Sequence, residues 1–442
     1  MPSPVSDIQR WRSRERSELP DCRADSPRVA LVYPNTYAVG MSSPGYQTTL
    51  FQMRSHGLDA QRYFSLAEPI SIEESMPIRQ ADVIAFSIAW ELDWLHVLQF
   101  LDRARLPIRA DERGPGHPLV FVGGVCAMMN RAPAWPFVDF FIHGEAEVVM
   151  PGLAKVLLRR DLSRSEIVEA IAHLPGLEIT RGCARANGLD ELASASPLID
   201  PPEPIILADL DSHPCMTRVF SPDAEFADMG LICIARGCPN RCTFCWIGHN
   251  APEHRTVSYE RVMEWAQWQL RFTDRIGLVA SAVGAHPRID DICRDLVAQG
   301  AKLSYSSLRA EEVTPAMLDA LAASGQKSIT LAPEVGSPRL RRLLGKNIPD
   351  EKFFEVIDSA LDRGMSAIKL YFMTGLPTET DDEAMQIVEF VEKTRERISA
   401  HALPHGRIGS ISVNLGLFVP KPNLPLLRVP DAMTWREKRR RL

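Results

Sequence analysis

No apolar run in the 442 residues is long enough to cross a membrane. The best stretch, VIAFSIAWELDWLHVLQF from Val83 to Phe100, is interrupted by Glu91, Asp93 and His96. The amino terminus, MPSPVSDIQRWRSRERSELPD, is polar and charged and has no apolar segment of the signal-peptide kind. Nor is charge of one sign in excess. The net charge of -6 and the pI near 6.0 give no general reason to expect a nucleic-acid partner. A cytoplasmic protein with no membrane partner is the expectation, and disulfides do not persist in that compartment. A disulfide framework is also missing from the spacing. Cys22, Cys126, Cys183, Cys215, Cys233 and Cys293 are scattered, whereas Cys238, Cys242 and Cys245 crowd into eight positions.

At this length one core is too small for the chain, and two domains are expected. In the first half RVALVY, ADVIAFSIAW (81–90), HPLVFVGGVCA (117–127) and FVDFFIHGEAE (137–147) are apolar runs that break into Gly or small polar residues. Helical patterns separate them, such as GYQTTLFQMRSHG with Gly57 as its stop. Strand–helix alternation predicts a doubly wound, Rossmann-like parallel sheet over 28–160, after a polar segment at 1–27. Gly123, Gly124, Gly144 and Glu145 fall at its carboxyl edge, either as tight turns or around a ligand. The Pro-rich stretch SPLIDPPEPIILADLDSHP places a connector at 161–215.

Strands at Leu231–Ala235, Ile276–Ala280, Lys302–Ser306, Ser328–Ala332, Ala367–Met373 and Ser410–Phe418 predict a partial (β/α)6 TIM-like barrel over 216–442. Thr314 and Pro315, and Ser337 and Pro338, read as helix starts, with Gly325 as a stop. A helix opening at Thr380 is expected to bury Met385, Val388 and Val391. The closing AMTWREKRRRL reads as a helix with Trp435 on its inner face. It ends abruptly, as if a further segment followed, and its basic run suits a solvated face.

Cys238, Cys242 and Cys245 are spaced C-x3-C-x2-C directly after the first barrel strand. With His249 they could hold a structural zinc. Alone they could hold a [4Fe-4S] cluster, leaving one iron open for a cofactor. Placement favours the cluster, because the loop lies at the carboxyl mouth of a large barrel, where chemistry belongs.

This spacing, with Phe244 before the third cysteine, resembles the signature of radical S-adenosylmethionine (SAM) enzymes. The resemblance implies a transferase-type enzyme with a [4Fe-4S] cluster on the three cysteines, SAM on the open iron, and Phe244 near the adenine. SYSSLRAEE resembles the third-strand segment and implies Ser307 and Arg309 as SAM contacts. TLAPEVGSPRLRRLLGK resembles the fourth and implies Glu334. YFMTGLPTET resembles the Gly-x-Pro turn near the adenine, at Gly375 and Pro377. The usual Gly-Gly-Glu is replaced by ASAVGAHP, with Ser281 as the substitute contact. His286, Tyr305, Lys369, Tyr371 and Asn414 lie at predicted strand ends and are candidates for action on substrate.

The first half is similar to the cobalamin-binding domains that precede many radical SAM cores. The usual Asp-x-His-x-x-Gly is absent, and YPNTYAVGM stands in its place without a histidine. Cobalamin would bind without that ligand or not at all, and absence is the expectation. The missing histidine favours group transfer. A weaker resemblance points to the branch that moves the 3-amino-3-carboxypropyl group of SAM to trivalent arsenic in arsinothricin biosynthesis. The alternatives are a 5′-deoxyadenosyl radical or cobalamin-dependent methyl transfer, to a small molecule, RNA or a peptide, and a non-enzymatic Cys3His zinc protein. A small-molecule substrate and an electron donor such as flavodoxin or ferredoxin are the partners implied.

Overall fold

The structure is a computed structural model that describes residues 4–23, 25–195, 201–251, 253–306, 308–402 and 409–426. The chain divides into two compact units, Met1–Gly230 and Leu231–Leu442.

The first unit is built on six strands: β1 (Arg28–Val32), β2 (Asp59–Tyr63), β3 (Val83–Ser87), β4 (Leu119–Gly123), β5 (Phe140–Ile142) and β6 (Leu177–Ile179). They lie in the order β2-β1-β3-β4-β5-β6. Every pair from β2 to β5 is parallel, and β6 runs antiparallel at the edge. Alternate side chains enter opposite cores. Val29 and Leu31 pack in one cluster, Ala30 and Val32 in the other, so both faces are covered. The stretch expected as a connector supplies β6 and the helix Arg164–Ala172, whose Val168 and Ile171 enter the first cluster. The carboxyl-edge glycines admit backbone. A Cβ on Gly124 would stand 2.6 Å from the Ile88 carbonyl, and one on Gly144 2.7 Å from that of Ile205. Cys126 is buried in the second cluster.

The second unit carries β7 (Gly230–Cys233), β8 (Arg275–Val279), β9 (Lys302–Tyr305), β10 (Ser328–Glu334), β11 (Ala367–Thr374) and β12 (Ser410–Leu417). The orders β9-β8-β7 and β10-β11-β12 form two three-stranded sheets, and a parallel bridge between Leu308 and Leu331 joins them. This is the partial TIM barrel. On β10 and β11 the outward residues Ile329, Leu331, Ile368, Leu370 and Phe372 are buried, and Phe372 meets Phe390 edge-on at 5.6 Å. Phe390 lies on the helix Asp381–Ala402, which buries Ala384, Ile387, Phe390, Thr394 and Ile398. The expected stripe of Met385, Val388 and Val391 is one position out of phase, and Met385 is exposed. Both stripes share a helical spacing, and the aromatic cluster of Phe353, Phe354 and Phe372 selects the one containing Phe390. The proposed C-terminal helix with Trp435 lies outside the described residues.

Candidate cofactor and substrate site

After β7 the chain leaves the barrel in a closed excursion. Ala235 and Arg236 pair antiparallel with Thr256 and Arg255, which clamps both ends of the cysteine loop. Gly237 makes the exit at φ +74. Within the loop the Cys245 N–H donates to the Cys242 carbonyl at 3.0 Å. A Cβ on Gly248 would stand 2.2 Å from the Asn240 carbonyl, so only glycine lets the short helix Ile247–Asn250 close on the loop.

Three neighbours hold the loop in place. Thr243 donates through its N–H to Leu344 O and through its hydroxyl to Leu343 O, each at 2.9 Å. Those carbonyls end the helix Pro338–Leu343, where no intrahelical donor remains. Phe244 packs against the cluster of Val335, Leu344, Leu376 and Phe418. Asn240 donates to Glu312 Oε1 at 2.8 Å.

The three cysteines fit a cluster better than one zinc ion. His249 points its Nε2 at the Cys242 carbonyl, 3.1 Å away, and is engaged with backbone. Among the described residues no three His, Cys, Asp or Glu side chains converge on one metal position. A zinc ion needs that convergence, whereas a [4Fe-4S] cube places each thiolate on a different iron. Burial pushes the Cys242 thiol up, and the Arg309 guanidinium, donating to its Sγ at 3.2 Å, pulls it back.

The other expected cofactor residues fall around this loop. Glu334 ends β10 in the left-handed region at φ +70 and is held by Lys346 Nζ at 2.8 Å. Gly375, at φ +86, donates its N–H to Glu379 Oε2 at 2.6 Å, and Pro377 follows it half-buried. Ser281 is exposed after β8. Arg309, expected to meet SAM, is committed to Cys242 and to Glu311, whose carboxylate it also bonds through Nε at 3.0 Å. Ser307 lies outside the described residues.

The substrate candidates separate into two groups. Tyr371 and Asn414 are register partners, and Lys369 is level with Thr330 and Ser412. Lys369, Tyr371 and Asn414 are all exposed, on the face of β11 and β12 opposite the helices. His286 and Tyr305 are corrections. His286 is buried, with Nε2 2.8 Å from Val257 O and Nδ1 accepting the Arg288 N–H, and burial pulls its pKa below the ordinary histidine value. Tyr305 turns under the helices, its hydroxyl 3.0 Å from Cys293 Sγ, and burial pushes its pKa well up. Both rings are used by the fold.

Sequence comparison decides the class. Residues 232–391 match the radical SAM superfamily, and residues 59–179 match the N-terminal domain of radical SAM proteins, between them more than half of the chain. The chain belongs to the radical SAM superfamily. It is therefore an enzyme of a family that uses a [4Fe-4S] cluster and SAM. An uncharacterized protein of Methanocaldococcus jannaschii is 24% identical over 400 residues, 89% of this chain and 78% of that one. The ribosomal protein uS12 methylthiotransferase RimO of a Synechococcus species is 22% identical, covering 84% of this chain and 79% of its own. The radical SAM methyltransferase TsrM of Kitasatospora setae, solved with cobalamin and a [4Fe-4S] cluster, has the same fold with a TM-score of 0.58. It is 13% identical and covers 91% of this chain and 74% of its own. Two further relatives are spanned over only about half their own length, 53% and 54%. Among the described residues no helix is long and apolar enough to cross a membrane.

The cysteine loop and the carboxyl-end turns were signalled by sequence, whereas the packing of Phe244 against Val335, Leu344, Leu376 and Phe418 was not. Asn240, Glu312 and Lys346, which tie the loop and Glu334 in place, were not. Only the fold brings them together.

Proposed function

We propose that this radical SAM enzyme is a methyltransferase that uses a corrinoid bound to its first unit. The observation that carries the reading is the order of parts. An α/β unit with a carboxyl-edge switch point precedes a cysteine-loop barrel, and TsrM shares that arrangement over 91% of the chain. When bound, the cluster supplies one electron to SAM and the corrinoid supplies a methyl carrier. The chain's own residues bind and orient. Cys238, Cys242 and Cys245 hold the cluster. Phe244, Gly375 and Pro377 form the adenine side of the SAM site, and Ser281 and Glu334 meet the polar groups of its methionine part. Arg309 serves the cluster loop. Lys369, Tyr371 and Asn414 present two hydrogen-bonding groups and a cation to a small substrate.

Transfer of the aminocarboxypropyl group to arsenic finds no support among these relatives, whose named activities are methyl and methylthio transfer. Methylthio transfer to a macromolecule is the second reading, favoured by the RimO match across both units. The test is anaerobic reduction of the chain, loaded with iron, sulfide and hydroxocobalamin, in the presence of SAM. S-adenosylhomocysteine formed in step with a methylated product supports methyl transfer. Product carrying new sulfur supports the second reading. 5′-Methylthioadenosine as the dominant fragment contradicts both.

A further inference from the structure

We propose that His96 is the protein ligand to corrinoid cobalt at the switch point of the first unit's sheet, with Asp93 orienting its ring. This rests on the corrinoid reading above. The order β2-β1-β3 reverses between β1 and β3, and open α/β sheets bind ligands at the carboxyl ends where the order reverses. Pro34 to Thr36 leave that point from β1. Ile88 to Asp93 leave it from β3 and lead into the helix Trp94–Arg103, whose first turn carries His96.

The ring of His96 lies back over the end of β1. Its Nδ1 is 2.6 Å from Pro34 O and 3.1 Å from Asp93 Oδ1. Both are acceptors, so in the neutral ring Nδ1 carries the proton and Nε2 keeps its lone pair. Nε2 has no partner among the described residues, and the side chain is 37% exposed. Asp93 is buried and receives Asn35 Nδ2 at 3.1 Å, while its Oδ2 makes no hydrogen bond. A carboxylate and a carbonyl fixing one ring nitrogen while the other faces outward is the arrangement of metal-ligating histidines.

One imidazole is too little for a bare metal ion, and among the described residues no third ligand gathers there. It suffices for a metal already held in a macrocycle, which needs only an axial base from the protein. The surroundings suit such a ring. Trp90, Leu92 and Leu95 are 62%, 65% and 63% exposed and flank His96 in the chain. Three large apolar side chains left exposed within six residues of one another in the chain suit contact with an apolar ligand face. The histidine missing from the loop after the first strand is thus replaced in space by one that follows the third.

The test is electron paramagnetic resonance of the chain loaded with hydroxocobalamin and reduced to Co(II) with dithionite. Protein is made with natural-abundance and with 15N-labelled histidine. Ligation by His96 predicts a one-nitrogen hyperfine splitting that changes from triplet to doublet on labelling and is lost in H96A. D93N is expected to weaken cobalamin affinity roughly tenfold. Bound cobalamin whose spectrum ignores the label, with H96A unchanged, overturns the assignment and leaves methyl transfer standing. A wild-type chain that retains no cobalamin overturns both.

Discussion

Loss of the Lys346 charge should cost the barrel heavily for little change in shape. Its Nζ donates to Ala332 O at 2.6 Å and to Glu334 Oε1 at 2.8 Å, and the two side chains are only 4% and 15% exposed. Methionine matches the length of the stem, so K346M keeps the packing and removes the charge. Two charge-assisted bonds disappear, each worth about 1.5–3 kcal/mol. Glu334 is left with little water and no cation. Breaking a buried pair costs about 3–5 kcal/mol. The residual exposure of Glu334 places this case near the lower end, about 3 kcal/mol. For a unit of this size that is a fall of about 6–12 °C in Tm. Thermal unfolding followed by near-ultraviolet circular dichroism reads it. The double variant K346M/E334Q should recover at least about 1 kcal/mol relative to the sum of the singles. A K346M loss within about 0.5 kcal/mol of wild type, or a strictly additive double, refutes the reasoning.

Other consequences are as direct. Hydrogen bonds from Arg339, with further ones from Thr380 and Ser337, hold the Glu383 carboxyl down at about 2. Because the unfolded chain takes up that proton first, the stabilisation is complete above about pH 4.5 and lost as pH falls toward 2. E383Q should cost about 1 kcal/mol at neutral pH and flatten that acid limb, as denaturant titrations at several pH values would show. Burial keeps His286 below 6.5 in the fold, so its contribution is complete above that pH and is lost as pH falls beneath it. H286N should lower stability by about 1–3 kcal/mol and leave turnover per folded molecule unchanged; a selective loss of turnover would restore His286 as a catalytic candidate. Arg309 donates to Cys242 Sγ, and a hydrogen bond to a sulfur that holds a cluster raises the cluster's potential. R309Q should keep its iron and lower the midpoint potential by roughly 59 mV, a tenfold change in the reduced fraction, in a potentiometric titration.

Much of this was legible because the signals are local. The Thr314-Pro315 and Ser337-Pro338 starts cap helices as expected, with both hydroxyls accepting backbone N–H groups. The barrel strands fall within two residues of their predicted bounds, since each carries apolar residues and ends near a turn. β2 shows where such reading fails. DAQRY looks like a solvated turn, yet all five residues are buried. Arg62 is accommodated by a bidentate bond to Glu15 and a bond to Glu73, partners 47 and 11 residues away. Tertiary pairing makes that strand, and no window along the chain contains it. His96 was hidden for the same reason. In sequence it is one polar residue breaking an apolar run, and only the approach of Pro34 and Asp93 gives its ring a direction. His286 and Tyr305 failed as candidates because strand-end position says nothing about which way a ring turns.

The most direct test asks whether Cys238, Cys242 and Cys245 hold an iron–sulfur cluster without His249. Iron, sulfide and zinc should be measured in the anaerobically reconstituted wild type, in each single cysteine-to-alanine variant and in H249A. A full iron and sulfide complement is expected in the wild type and in H249A, and its loss in all three cysteine variants. Zinc in place of iron, lost on removing His249, would contradict it.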